Sequence, residues 1–138
     1  MQKRLKTRKI IIHHSASSKN TPRDLILQWH QHRGFSDIGY HFVISGATGE
    51  VELGREESLV GAHTKDNNSD SIGICVTGNY ENENLDHCAE KALLTLIKKL
   101  QVKYNLTWDN VTYHKKLNAT LCPGKNLAFV IDGWKGQV

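Results

Sequence analysis

The sequence lacks any long apolar run, which excludes a membrane-spanning helix. The three consecutive isoleucines at residues 10–12 fall far short of the roughly 20 apolar residues that cross a bilayer. The first nine residues are basic, but no apolar stretch of about 7–15 residues follows them, as a secretion signal requires. We therefore expect no signal peptide, and we expect synthesis to end in the cytoplasm.

Cysteine is scarce and odd in number. The three residues are Cys75 in an apolar, strand-like stretch, Cys88 on a predicted helix, and Cys122 in a polar loop beside proline and glycine. An odd count without a secretion signal favours free thiols over a disulfide framework. The sequence also lacks H-E-x-x-H and lacks H-x-E combined with P-C-x-x-C, which disfavours a zinc protease and a zinc deaminase.

Positive charge is in modest excess, and much of this excess lies near the N-terminus. The chain has 18 lysines and arginines against 14 acidic residues, and five of the basic residues fall within the first nine positions. This basic end either solubilises the protein or attracts a polyanion, such as an anionic envelope surface or an acidic protein. No nucleic-acid-binding module is recognisable, so nucleic acid is not expected as a partner.

The length of 138 residues suits one domain with a real core. We place this domain at residues 9–138, behind a basic tail at residues 1–8, and a monomer is the simplest expectation. Hydrophobic periodicity and turn residues predict alternating strands and helices. The predicted strands are 9–14, 40–44, 50–53, 71–77 and 110–113, and the predicted helices are 22–33, 85–104 and 126–134.

Several details of these elements can be tested. Thr21 and Asn84 are predicted to cap the first two helices. Trp29 is expected to pack in the core. The polar loop at residues 54–70 is longer than most loops of compact domains, which indicates a segment that is either functional or disordered.

Three potential metal ligands lie at or just beyond predicted strand ends. His13 ends the first strand, His114 ends a later one, and Cys122 follows in the adjoining loop. Two imidazoles and one thiolate can hold a zinc ion with its fourth position open, the arrangement of a catalytic zinc that activates water. The spacing matches no short zinc motif, and a histidine is more often an ordinary polar residue. The residues alone leave both interpretations open.

Five motifs occur in a characteristic order along the chain. They are His13-His14-Ser15-Ala16, Gly39-Tyr40-His41-Phe42, Gly61-Ala62-His63, Asn68 with Ser71-Ile72-Gly73-Ile74, and His114 through Cys122-Pro123-Gly124. In this order they resemble the zinc-dependent N-acetylmuramoyl-L-alanine amidases of the type 2 family, which includes phage endolysins and animal peptidoglycan-recognition proteins. The resemblance covers residues 9–134. It implies a single α/β domain with a central mixed β-sheet flanked by helices.

The resemblance implies one zinc ion per chain, held by His13, His114 and Cys122. His14 is expected not to bind the metal, because successive side chains of a strand point to opposite sides. The implied reaction is hydrolysis, by zinc-activated water, of the amide between the lactyl group of N-acetylmuramic acid and the L-alanine of the peptide stem.

The resemblance also implies roles for residues around the metal. Tyr40 is expected to lie near the zinc-bound water. Because side chains alternate along a strand, His41 is expected to face away from Tyr40, in a structural role or in support of a metal ligand. Many phage members have a lysine where this chain has Thr120, and a hydroxyl stabilises a developing oxyanion less strongly than a cation does. His63 and Asn68 are expected to line the groove that holds the peptide stem and sugar.

The implied biological role is that of a phage endolysin, which accumulates in the host cytoplasm and acts on the cell wall after a membrane lesion. A bacterial amidase with unusual export is the alternative. A peptidoglycan-binding module without activity is a second alternative, although such relatives typically lack a zinc ligand. Some phage members also bind the phage RNA polymerase, so a protein partner for the basic tail is a third possibility.

Overall fold

The computed structural model describes residues 1–136 and contains a five-stranded mixed sheet with three helices. The sheet order is β3-β2-β4-β1-β5, and every neighbouring pair is parallel except the β2–β3 hairpin. This architecture confirms the predicted α/β class. The strands are β1 (Lys9–His14), β2 (Phe42–Ile44), β3 (Val51–Leu53), β4 (Ser71–Val76) and β5 (Val111–Tyr113), and the helices are α1 (Arg23–His32), α2 (His87–Tyr104) and α3 (Lys125–Trp134).

The two faces of the sheet differ in composition, because side chains alternate along each strand. One face, the apolar face, packs against α2 and α3 in the main core. The other, the histidine face, is partly covered by α1. The apolar face carries Ile10, Ile12, Phe42, Ile44, Ile72, Ile74 and Val76. The histidine face carries Ile11, His13, His41, Val43, Ser71, Gly73 and Cys75.

The helices lie close to their predicted positions, but three predicted details are wrong. Thr21 does not cap α1, because its hydroxyl donates to a backbone carbonyl three residues upstream at 2.6 Å. Asn84 does not cap α2, whose N-cap position belongs to Asp86. Trp29 is 39% exposed, because the buried stripe of α1 runs through position 30 instead. Within residues 1–136, no helix is long and apolar enough to cross a bilayer.

The first eight residues lie against the loop that follows β3. The backbone N–H of Arg4 donates to the Ser58 carbonyl at 2.7 Å, and the N–H of Val60 donates to the Gln2 carbonyl at 2.8 Å. The Arg4 guanidinium also donates to the Tyr104 hydroxyl at 3.1 Å. The basic segment is therefore hydrogen-bonded to the rest of the protein, while the division of the chain at residue 8 stays a prediction.

Internal hydrogen bonds hold the long loop at residues 54–70 in place. The buried Arg55 guanidinium donates to the backbone carbonyls of Ile38 and Val60, each at 2.9 Å. Further along, the Asn68 side-chain oxygen accepts from the backbone N–H groups of His63 and Thr64, each at 2.9 Å. This loop runs directly into β4 and carries His63 to the histidine face.

Candidate metal centre

Three side chains from distant parts of the sequence meet at one edge of the sheet. His13 lies at the carboxyl end of β1, His114 directly follows β5, and Cys122 lies in the loop before α3. Because β1 and β5 are parallel neighbours, their carboxyl ends lie side by side. One potential ligand atom from each residue lies within 4.8 Å of the other two. The structure therefore brings the three predicted ligands together.

The spacing of these atoms fits a small metal ion. His13 Nδ1 lies 3.6 Å from Cys122 Sγ. A tetrahedral zinc ion, with Zn–N of about 2.0–2.1 Å and Zn–S of about 2.3 Å, would separate nitrogen and sulfur by about 3.5 Å. Three protein ligands also leave the fourth position for water or substrate. The donor set therefore suits a metal ion with one open coordination position.

Each histidine of the triad has a hydrogen-bond partner for its second ring nitrogen. Nε2 of His114 lies 2.9 Å from the side-chain oxygen of Asn118, which can only accept, so Nδ1 of His114 keeps its lone pair. Nε2 of His13 lies 2.9 Å from Nδ1 of His63. Such partners usually orient metal-binding histidines. Asn118 was not predicted from the sequence, although its i+4 spacing from His114 was a signal for it.

Burial sets the protonation of the three candidate ligands. It lowers the pKa of His13 well below its ordinary value, and the neighbouring His63 and His114 add to the effect. Burial raises the pKa of the Cys122 thiol to about 12, against a smaller opposing effect of the His14 backbone N–H. The imidazoles thus offer lone pairs at neutral pH, whereas the thiol releases its proton when a metal binds.

The remaining histidines of the motifs bind the main chain. Nδ1 of His14 accepts from the backbone N–H of Tyr80 at 3.1 Å, on the side of the sheet away from the triad. Nδ1 of His41 accepts from the Gly73 N–H at 3.0 Å, and its Nε2 donates to the Leu59 carbonyl at 2.7 Å. Both histidines therefore have structural hydrogen bonds.

A cavity of about 450 Å³ opens beside the triad. Its volume lies within the usual range for small-molecule sites, about 300–1,000 Å³. No carboxylate lines it in the described part of the chain, whereas the cations of Arg33 and Lys65 do. Neither cation was predicted from the sequence. The lining residues are His30, Arg33, Phe35, Tyr40, Ala62, His63, Thr64, Lys65, Asn68, His114 and Asn118.

Tyr40 lies in this cavity next to the triad. Its ring centroid is 5.0 Å from that of His13 and 5.3 Å from that of His30. Burial raises the pKa of Tyr40 well above its ordinary value, and the thiols of Cys75 and Cys122 add to the effect. The phenol therefore keeps its proton at neutral pH and can donate a hydrogen bond.

The other predicted site residues lie in different surroundings. His63 and Asn68 line the cavity, yet their polar atoms bond within the protein, to His13 and to the loop backbone. Thr120 is exposed and is not part of the cavity lining. Its hydroxyl oxygen accepts from the backbone N–H of Cys122 at 3.2 Å.

Most of the chain is similar to endolysins, to peptidoglycan-recognition proteins and to N-acetylmuramoyl-L-alanine amidases. The family model described as N-acetylmuramoyl-L-alanine amidase matches residues 3–125. The endolysin of Klebsiella phage KP32 is 34% identical over 91% of this chain and 85% of its own length. Peptidoglycan-recognition protein SC1a of Drosophila melanogaster is 35% identical over 90% of this chain and 71% of its own. Among solved structures, the N-acetylmuramoyl-L-alanine amidase LysC from Clostridium intestinale URNW superimposes with a TM-score of 0.84 at 33% identity, covering 94% of this chain and 85% of LysC.

Proposed function

The chain belongs to the N-acetylmuramoyl-L-alanine amidase family, and from this premise we propose how its residues perform the hydrolysis. The protein is a peptidoglycan hydrolase of the phage endolysin type. It cleaves the amide between the lactyl group of N-acetylmuramic acid and the L-alanine of the stem peptide. The observation that carries the proposed mechanism is the meeting of His13, His114 and Cys122 beside a cavity.

Zinc is the metal that we propose for this site, with one ion per chain. Two imidazoles and one thiolate form a donor set that suits zinc in a tetrahedral arrangement, and three protein ligands are typical of catalytic zinc. Bound there, zinc supplies Lewis acidity, which polarises a carbonyl and lowers the pKa of water. Asn118 would orient the His114 ring, since it accepts from Nε2 and leaves the lone pair of Nδ1 free for a metal.

Tyr40 is the residue to which we assign stabilisation of the oxyanion. Its phenol is protonated at neutral pH, and its ring lines the cavity beside His13. Thr120 is the other candidate donor, but it lies outside the cavity lining. We assign Thr120 a smaller contribution, through its hydrogen bond to the backbone of Cys122.

The cavity wall formed by His63 and Asn68 is the surface that we propose to face the stem peptide and sugar. Arg33 and Lys65 give this cavity a positive rim. Peptide stems carry carboxylates, so a cationic rim without acidic side chains complements them. The Arg33 guanidinium lies 5.1 Å above the Phe35 ring, a cation–π contact that restricts its orientation.

Mass spectrometry of peptidoglycan digested with zinc-loaded protein tests this function. The expected products are stem peptides with a free L-alanine amino terminus, and a chelated sample should release none. Release that survives complete metal removal would overturn the zinc mechanism, and release of other fragments would overturn the assigned bond. No release combined with no bound zinc would favour a peptidoglycan-binding module instead.

The protein acts on the cell wall. Separately, we propose a regulatory role in which the protein binds a protein partner such as a phage RNA polymerase. Lys3, Lys6 and Arg8 are exposed on the docked basic segment and offer positive charge to an acidic partner. A pull-down with phage RNA polymerase tests this partner. It compares the native chain with a variant that carries alanine at all three positions. Binding that survives the triple substitution would exclude this segment. A monomer remains the simplest proposal for the oligomeric state.

A further inference from the structure

His63 occupies a pocket on the histidine face that two glycines make possible. The side chain is buried, with 9% relative exposure. A Cβ atom added at Gly73 would lie 2.6 Å from the His63 ring, and one added at Gly61 would lie 2.7 Å from it. Real Cβ atoms essentially never approach other atoms this closely. The loop and β4 are therefore shaped around an imidazole at position 63.

A chain of hydrogen bonds beginning at the main chain sets the tautomer of His63. The Ser71 hydroxyl donates to the Asn67 backbone carbonyl at 2.7 Å, and a carbonyl can only accept. With its single hydrogen used, Ser71 Oγ must accept from Nε2 of His63, which lies 3.3 Å away. His63 therefore carries its hydrogen on Nε2 and a lone pair on Nδ1.

This lone pair faces the candidate metal ligand His13. Nδ1 of His63 lies 2.9 Å from Nε2 of His13, and the Thr64 hydroxyl lies within 3.3 Å of both nitrogens. Since Nδ1 of His63 accepts, Nε2 of His13 must be the donor. The lone pair of His13 then resides on Nδ1, which is the atom 3.6 Å from Cys122 Sγ.

We propose that His63 is a positioning residue that fixes the tautomer and ring orientation of His13 for metal binding, through hydrogen bonds anchored at the Asn67 carbonyl. The bond at one imidazole nitrogen decides which nitrogen is free for a metal. Without His63, His13 could place its hydrogen on either nitrogen, and only one tautomer presents a lone pair to the triad. The inference rests on the proposed function only in taking His13 as a metal ligand.

Zinc affinity and imidazole tautomers test this role without any peptidoglycan. His63→Phe keeps a ring in the glycine-walled pocket but removes both nitrogens, and it should weaken zinc binding by about 10–100-fold in chelator competition. Nitrogen NMR of the metal-free protein should show His13 protonated on Nε2 in the native chain and in both tautomers in the variant. His63→Asn keeps an acceptor near the position of Nδ1 and should recover part of the affinity.

His41→Phe is the matched control for loss of a buried histidine. His41 is 1% exposed and adjoins His63, but its nitrogens bond only the main chain. This variant should lose stability while its zinc affinity stays within about twofold of the native value, the scatter expected for a site that is not coupled to the change. An equal loss of zinc affinity in both variants would show that any disturbance of this face weakens the site and would overturn the specific role.

Ser71→Ala provides a second test, which decides the matter if His63→Phe fails to fold. It removes the anchor of the hydrogen-bond chain without touching His13. We expect a measurable His13 tautomer mixture and a smaller loss of zinc affinity than in His63→Phe. An unchanged His13 tautomer and an unchanged affinity would overturn the proposal. A protein that shows these changes yet leaves peptidoglycan intact would instead refute the proposed function alone.

Discussion

The two faces of the sheet perform different tasks with the same strands. On the apolar face, β1, β2 and β4 contribute large aliphatic and aromatic side chains that pack against α2 and α3. On the histidine face, the same strands contribute polar or small residues such as His13, His41, Ser71 and Gly73. Each strand thus supplies stability on one side and chemistry on the other, because alternate residues point in opposite directions.

This difference shows how a short chain can tolerate a polar site in its interior. Buried histidines cost stability unless hydrogen bonds compensate, so each needs partners at fixed positions. The histidine face supplies them through β4 and the loop at residues 54–70, whereas the aliphatic residues of the apolar face need only complementary shape. Substitutions of the aliphatic residues on the apolar face should therefore change stability alone, whereas substitutions of the metal ligands and of the residues that orient them should change function.

The largest effect is expected from the ligands themselves. Cys122→Ser and His114→Ala should each abolish zinc binding and hydrolysis together, because two remaining ligands cannot hold the ion tightly. Both losses can be checked by measuring the bound zinc with plasma emission spectroscopy and the release of muropeptides from peptidoglycan. The unfolding free energy of the metal-free variants should stay within about 1 kcal/mol of the metal-free native chain, since both side chains are only partly buried. Full hydrolysis by either variant would remove these residues from the site.

Ile74→Ala is the opposite case on the apolar face. Ile74 is completely buried in β4, so the void left by the removed side-chain atoms should lower the free energy of unfolding, measured in urea, by about 2–5 kcal/mol. Turnover per folded molecule should be unchanged, because the substitution leaves the histidine face intact. Ile74→Val, with an expected cost of about 0.5–1.5 kcal/mol, provides the graded control. A loss of turnover without a loss of stability would contradict the division between the faces.

Tyr40→Phe removes one hydroxyl and should act only on the reaction. We expect a decrease in kcat of about 10²-fold or more, which is the usual effect of losing one oxyanion or proton-transfer contact. Zinc content should be unaffected, because the proposed ligand set of His13, His114 and Cys122 is complete without Tyr40. Thr120→Val is the matched variant, and its exposed position outside the cavity predicts a smaller loss. The opposite order of effects would assign the oxyanion to Thr120.

Much of the framework was predictable because it depends on local patterns. The isoleucine run predicted β1, and the convergence of parallel strand ends explains why His13 and His114 meet. The contact between His63 and His13 was not predictable, because it depends on how the aperiodic loop at residues 54–70 returns to the sheet. The docking of the basic segment was likewise missed, since Arg4 bonds to groups distant in sequence, such as the Tyr104 hydroxyl.

The smallest expected effect is on the pH dependence of stability, and it measures the contribution of one residue of the histidine face, His41. Burial lowers the pKa of His41 from about 6.5 to about 4, against a smaller opposing effect of its bond to the Leu59 carbonyl. Between these values the unfolded chain binds more protons than the native one. The contribution of His41 is therefore complete above about pH 6.5 and is lost as the pH falls toward 4, with a slope of at most about 1.4 kcal/mol per pH unit.

Urea unfolding of metal-free protein between about pH 7 and pH 4.5 measures this slope. His14 and His30 also have pKa values lowered to about 4, mainly by burial, so the native chain should lose stability through the whole window. His41→Phe should be less stable than the native chain at neutral pH. Its stability should then fall less steeply with decreasing pH, by up to about 1.4 kcal/mol per pH unit, the slope that one proton contributes. Parallel curves for the two proteins would mean that native His41 binds its proton as readily as the unfolded chain does. The hydrogen bond from the Gly73 N–H would then not stabilise the native chain, because only a neutral imidazole can accept it at Nδ1.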